Sequence, residues 1–243
     1  MKKYLTPYNL LLMFVLLLNV FAYLAPIFMH VGLEGIAKYI YFVYSFFCHQ
    51  LHYRSLHIFD YQVAWCTRDA FIWFGLLASG IAFKFVKTKP VRWYEIILFI
   101  IPIALDGGIQ LVATMFGLGQ EGHEVLYSST NLTRMLTGSI LGIGLGMWIF
   151  PSLKEFETYK TATRVKEVAK IKLFSVLLIL LSIFYIMLVS VWNLTSEEYK
   201  PENMLDSNVK LPENDEEWFL RRQNGYCPRG VDESAVFIFD CEE

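Results

Sequence analysis

Two short stretches hold most of the side chains able to bind a metal. "CHQLHYRS" supplies Cys48, His49 and His52, and "CTRD" supplies Cys66 and Asp69. Thiolate, imidazole and carboxylate are the donors zinc takes, four at a time, and close spacing within each stretch suits chelation. Zinc is therefore the expected ion, although the spacing matches no standard finger. A Cys48–Cys66 disulfide is the competing reading, permitted if the segment faces an oxidising compartment. The same segment carries Arg54, Ser55 and Arg68. Guanidinium groups bind phosphate and carboxylate in a bidentate manner, so these three residues form a candidate anion-binding set.

A second polar group lies inside apolar sequence. Asp106 and Gln110 are four residues apart in "LDGGIQ" and share one helical face. Arg134 opens another apolar run in "NLTRMLTG". An ionisable residue within a membrane span costs about 2.5 to 3.5 kcal/mol on insertion scales, so Asp106 must face a partner or water. Arg134 is the expected partner. The pair reads either as a structural ion pair or, with Gln110, as the catalytic floor of a polar cavity.

The elements carrying these residues are membrane helices. Apolar residues make up 55% and aromatics 16% of the 243 positions. The mean hydropathy is +0.41, which excludes an ordinary soluble domain. Apolar runs at 8–29, 94–116, 131–150 and 171–194 each have the length of about 20 residues that crosses a hydrocarbon core of roughly 30 Å, and a shorter run covers 69–86. The basic start "MKKYLT" resembles a signal peptide, but its apolar part is too long for a typical h-region and no clean cleavage site follows. A retained first span is expected.

Positive charge sets the orientation. "KFVKTKPVR" contains Lys84, Lys87, Lys89 and Arg92 with no acid, and residues 151–172 contain six bases against three acids. Both loops belong in the cytoplasm. "GLGQEGHEVLYSST" has no lysine or arginine and belongs outside, as does everything after residue 194. Lys2 and Lys3 keep the N-terminus inside. These assignments agree only if residues 35–51 do not cross, and lie as an aromatic helix in the outer interface. Six crossings with an external N-terminus are the alternative. The expected fold is thus an all-α polytopic bundle, with five transmembrane helices and one outer interfacial helix over residues 1–194. It places the cysteine cluster, Asp106, Gln110 and Arg134 together toward the outside.

Residues 195–243 hold 13 acids against 5 bases and form an acidic extracytoplasmic tail. Cys227 and Cys241 flank a short strand-like run there. Their disulfide would close a loop and stabilise it by about 3 kcal/mol in the chain-entropy model. Gly138, Gly142 and Gly146 recur every four residues and read as a helix-packing seam. The sequons at Asn131 and Asn193 sit at span ends and are treated as chance. There is no internal repeat, phosphate loop, nucleophile elbow or nucleic-acid motif.

The ordered set Cys48, His49, Gln50, Arg54, Ser55, Cys66, Arg68, Asp106, Gly107, Gln110, Arg134, Thr137 and Gly138 resembles the prokaryotic membrane proteins grouped as domain of unknown function 2085. The resemblance spans residues 8–150 and implies an integral membrane fold without naming a reaction. Members of that family usually carry a third cysteine where this chain has Asp69. An aspartate ligates zinc but forms no disulfide, so the departure favours a metal and removes any C-x-x-C redox pair.

The leading expectation is a metal-dependent enzyme of the prokaryotic cytoplasmic membrane acting on an anionic lipid or lipid-linked substrate, with Asp106 or a histidine as base. A scaffold or accessory subunit with a structural zinc or disulfide is the second reading. A transporter ranks third, because the inner half of each span holds no ionisable residue away from its cytoplasmic end.

Overall fold

The computed structural model describes residues 6–48, 50, 54–86, 88–115, 129–158, 170–196, 230–231 and 237–238. Among the described residues six helices dominate: α1 Pro7–His30, α2 Glu34–Ser45, α3 Thr67–Phe85, α4 Ile96–Met115, α5 Asn131–Thr158 and α6 Lys170–Thr195. Each long apolar run expected from the sequence contains one of these helices. Among the described residues, three helical segments are long and apolar enough to cross a membrane: Pro7–His30, Asn131–Lys154 and Val176–Thr195. Ile96–Val112 is a shorter apolar helix.

The described residues are mostly helical, as expected, and two short hairpins accompany the helices. β1 Ser55–Ile58 and β2 Tyr61–Cys66 form an antiparallel hairpin, paired Ser55 with Cys66, His57 with Gln62 and Ile58 with Tyr61. In the tail, β3 Gly230–Val231 pairs with β4 Phe237–Ile238. The β1–β2 hairpin lacks the alternation of a surface strand because all four residues of β1 and the central four of β2 are buried. Its turn residues, Phe59 and Asp60, have φ of 54° and 62°, where glycine or asparagine would normally mark a two-residue hairpin turn. The left-handed region costs a residue with a side chain roughly 1–2 kcal/mol, so surrounding contacts must hold this turn.

The chain divides into two compact units. The first comprises residues 1–19, 70–129 and 133–187. Its core contains Tyr8, Leu12, Val15, Leu76, Leu77, Phe83 and Phe150, with a second cluster at Ala78, Ala82, Ile143 and Leu177. Asn19 adds a polar stitch, donating to the Val15 carbonyl at 2.8 Å and the Trp73 carbonyl at 3.2 Å. Phe74 of α3 stacks on Phe184 of α6.

The glycine seam lies between α3 and α5. A Cβ on Gly142 would come 2.2 Å from the Ile72 carbonyl oxygen, and one on Gly146 would come 2.3 Å from Ser79 Cβ. Only hydrogen fits at these two positions, so the backbones approach closely and gain dispersion contacts where no hydrophobic force drives helices together.

The second unit comprises residues 20–69, 130–132 and 188–243. Here α2 buries Ala37, Ile40 and Tyr44, and the Tyr44 ring meets Trp65 of β2 edge to face at 4.6 Å. Tyr41 donates its hydroxyl to the Gln62 carbonyl. The opposite stripe, Ile36, Tyr39, Val43, Phe46 and Phe47, is exposed.

Candidate functional site

The chain leaves α2 through a short turn in which the Cys48 amide bonds back to the Tyr44 carbonyl at 3.0 Å. This turn buries the Cys48 side chain. Gln50 then adopts a left-handed φ of 51°, which brings its own amide to 3.5 Å from Cys48 Sγ. Its side-chain amide donates to the Tyr41 carbonyl at 2.9 Å and the Ala64 carbonyl at 3.1 Å. Gln50 thereby staples α2 to β2, a role the sequence reading did not assign. Its signal was its place beside Cys48 in the family-like motif.

β2 ends at Cys66, and α3 starts one residue later. The Cys66 amide donates to Cys48 Sγ at 3.0 Å, and the Cys66 thiol donates to Asp69 Oδ2 at 2.8 Å. Asp69 occupies the first turn of α3, where a carboxylate complements the positive helix end. Cys48 Sγ, Cys66 Sγ and a carboxylate oxygen of Asp69 all lie within 4.8 Å of one another. The sulfur of Cys48 accepts two backbone amides, while both cysteines remain free rather than bonded to each other.

Electrostatics express the same crowding. The Cys66 thiol is pushed well above its ordinary value, first by its hydrogen-bonded interaction with Cys48, then by burial and the negative charge of Cys48 and Asp69. Two sulfurs and a carboxylate crowded this closely are a site a cation would relax. The donor chemistry fits zinc, with two soft thiolates and one carboxylate.

Ser55 opens β1 and is fully buried opposite Cys66. Arg54 immediately precedes the strand, Arg68 sits in the first turn of α3, and both are half-buried. His49 and His52, named from sequence as ligands, lie outside the described residues. So do Cys227 and Cys241.

The second polar centre belongs to the first unit. Asp106 is buried in α4, and its Oδ2 accepts the Ser129 hydroxyl at 2.9 Å and the Thr137 hydroxyl at 3.5 Å. Thr133 Oγ1 lies 3.2 Å from Ser129 Oγ. Arg134 is also buried, near the start of α5, and Gln110 is half-buried one turn beyond Asp106. The hydroxyls of Ser129, Thr133 and Thr137 were missed from sequence. The two four-residue steps in "STNLTRMLT" were the available sign, since they place all three on one face of the α5 entrance.

Comparison with known proteins supports the membrane assignment. The profile of a family described as "Predicted membrane protein (DUF2085)" matches residues 48–148. An uncharacterized protein of Methanocaldococcus jannaschii is 34% identical over 161 residues, covering 62% of this chain and 93% of that protein. No solved structure matches. The matched region contains both polar centres, and the apolar helices agree with the family description. The chain belongs to the DUF2085 family of predicted membrane proteins.

Proposed function

We propose that Cys48, Cys66 and Asp69 bind zinc, with His49 or His52 as a further ligand, at the outer face of a prokaryotic cytoplasmic membrane. The observation carrying this reading is the gathering of two sulfurs and a carboxylate within 4.8 Å, although they come from the end of α2, the end of β2 and the start of α3. Zinc with an open coordination position would supply Lewis acidity that activates water near neutral pH. Arg54 and Arg68 bind the phosphate of an anionic lipid or lipid-linked substrate, and the reaction is hydrolytic at headgroup depth.

In this reading five helices cross the membrane: α1, α3, α4, α5 and α6. α2, with 12 residues, is about 18 Å long at 1.5 Å per residue and too short to span. Its exposed aromatic and aliphatic stripe rests in the outer interface. A structural zinc in a scaffold subunit is the second reading, favoured by the burial of Cys48 and the hydrogen bonds already closing around it.

The test is elemental analysis and zinc X-ray absorption of the full-length protein in detergent. About one zinc per chain, lost in Cys48→Ala and Cys66→Ala, supports the site. Zinc content unchanged by both substitutions overturns it. Three protein ligands point to the enzyme, and four to the scaffold.

A further inference from the structure

The β1–β2 hairpin connects two distant places in the second unit. Its open end carries Cys66, opposite Ser55. Its tip is the left-handed pair Phe59 and Asp60, which the local sequence does not favour. Contacts from His30 and from the end of α6 hold the tip. The Phe59 amide donates to Thr195 Oγ1 at 3.1 Å, the Asp60 amide donates to Ser196 Oγ at 3.1 Å, and the His30 ring stacks on Phe59 at 3.9 Å. Thr195 donates its own proton to the Val191 carbonyl at 2.7 Å, so its lone pairs are turned toward the incoming amide. Ser196 is buried, and Trp192, one turn earlier in α6, lies 6.0 Å from the buried His57 ring of β1.

We infer that Thr195 and Ser196 are positioning residues for the Cys48, Cys66 and Asp69 centre, acting through the hairpin. The inference rests on reading those three residues as metal ligands. A turn whose residues resist its conformation is kept by the hydroxyls at the end of α6. The hairpin so held delivers the Cys66 amide to Cys48 Sγ and the Cys66 thiol to Asp69. Residues 136 positions from the turn thus bear on the donor geometry. Changes at the end of α6 are felt at the thiolates, although neither hydroxyl belongs to the donor set.

The experiment uses the full-length protein in detergent micelles. Two readouts are taken: zinc affinity by chelator competition, and hydrogen exchange of residues 55–66 without metal. Thr195→Val with Ser196→Ala should weaken zinc binding and accelerate exchange about tenfold each, as expected from losing two hydrogen bonds that each contribute toward the low end of the usual net range. Adding Phe59→Asn and Asp60→Gly, which prefer this turn, should restore both. Unchanged exchange and affinity in the α6 variant would overturn the inference. So would failure of the turn substitutions to rescue, because the loss would then come from disruption of α6 itself. A wild-type protein that binds no zinc defeats the metal reading instead. In that case the exchange response and its rescue still decide whether α6 orders the hairpin.

Discussion

At the residue scale, Asp69 is the informative position. Its carboxylate already accepts the Cys66 thiol. Asp69→Cys should retain zinc or bind it more tightly, and Asp69→Ala should weaken it by at least tenfold, measured by chelator competition. Acidity gives a second outcome. The raised Cys66 value means the metal-free folded chain holds that proton more tightly than the unfolded chain does. Its stabilising contribution is complete below the ordinary cysteine value of about 8.5 and is lost as pH rises through the folded value. Metal-free protein should therefore have a lower Tm at pH 9.5 than at pH 7.5, provided its other groups titrate alike in both states. Zinc requires deprotonated thiols, so zinc affinity should fall in the opposite direction, as pH drops. Equal affinity at pH 6 and pH 8 would count against thiolate ligation.

At the scale of elements, close backbone approach governs the α3–α5 pair. Gly142→Val places its Cβ against the Ile72 carbonyl, a rigid neighbour, and should cost at least about 1–3 kcal/mol of stability in a detergent unfolding assay. The same substitution at Gly108, where an added Cβ meets nothing within 4 Å, should cost much less. The helices were legible because 20-residue apolar runs have few alternatives in a membrane protein. The hairpin was not legible. His57 and Gln62 are polar yet buried, so β1 and β2 show no inside-outside alternation, and the turn at Phe59 and Asp60 contains no glycine.

At the scale of the whole molecule, orientation decides which compartment the thiols meet. Reporter fusions should place residues 84–92 and 151–172 in the cytoplasm and the tail outside, following the lysine and arginine distribution. A cytoplasmic tail would reverse the proposed compartment of the Cys48 and Cys66 site. Composition and charge run along the chain and need no knowledge of contacts, so the membrane class, the helical runs and the family motif were determined by sequence alone. The reactive residue types were equally visible, including Cys48, Cys66 and Asp69. Their meeting was decided by tertiary structure, because it depends on a left-handed Gln50, a buried hairpin and the first turn of α3 converging in space. The same holds for Asp106 and the hydroxyls of Ser129 and Thr137. Side chains separated by 20 or 30 positions become neighbours only when packing brings their backbones together, and local periodicity carries no record of that distance.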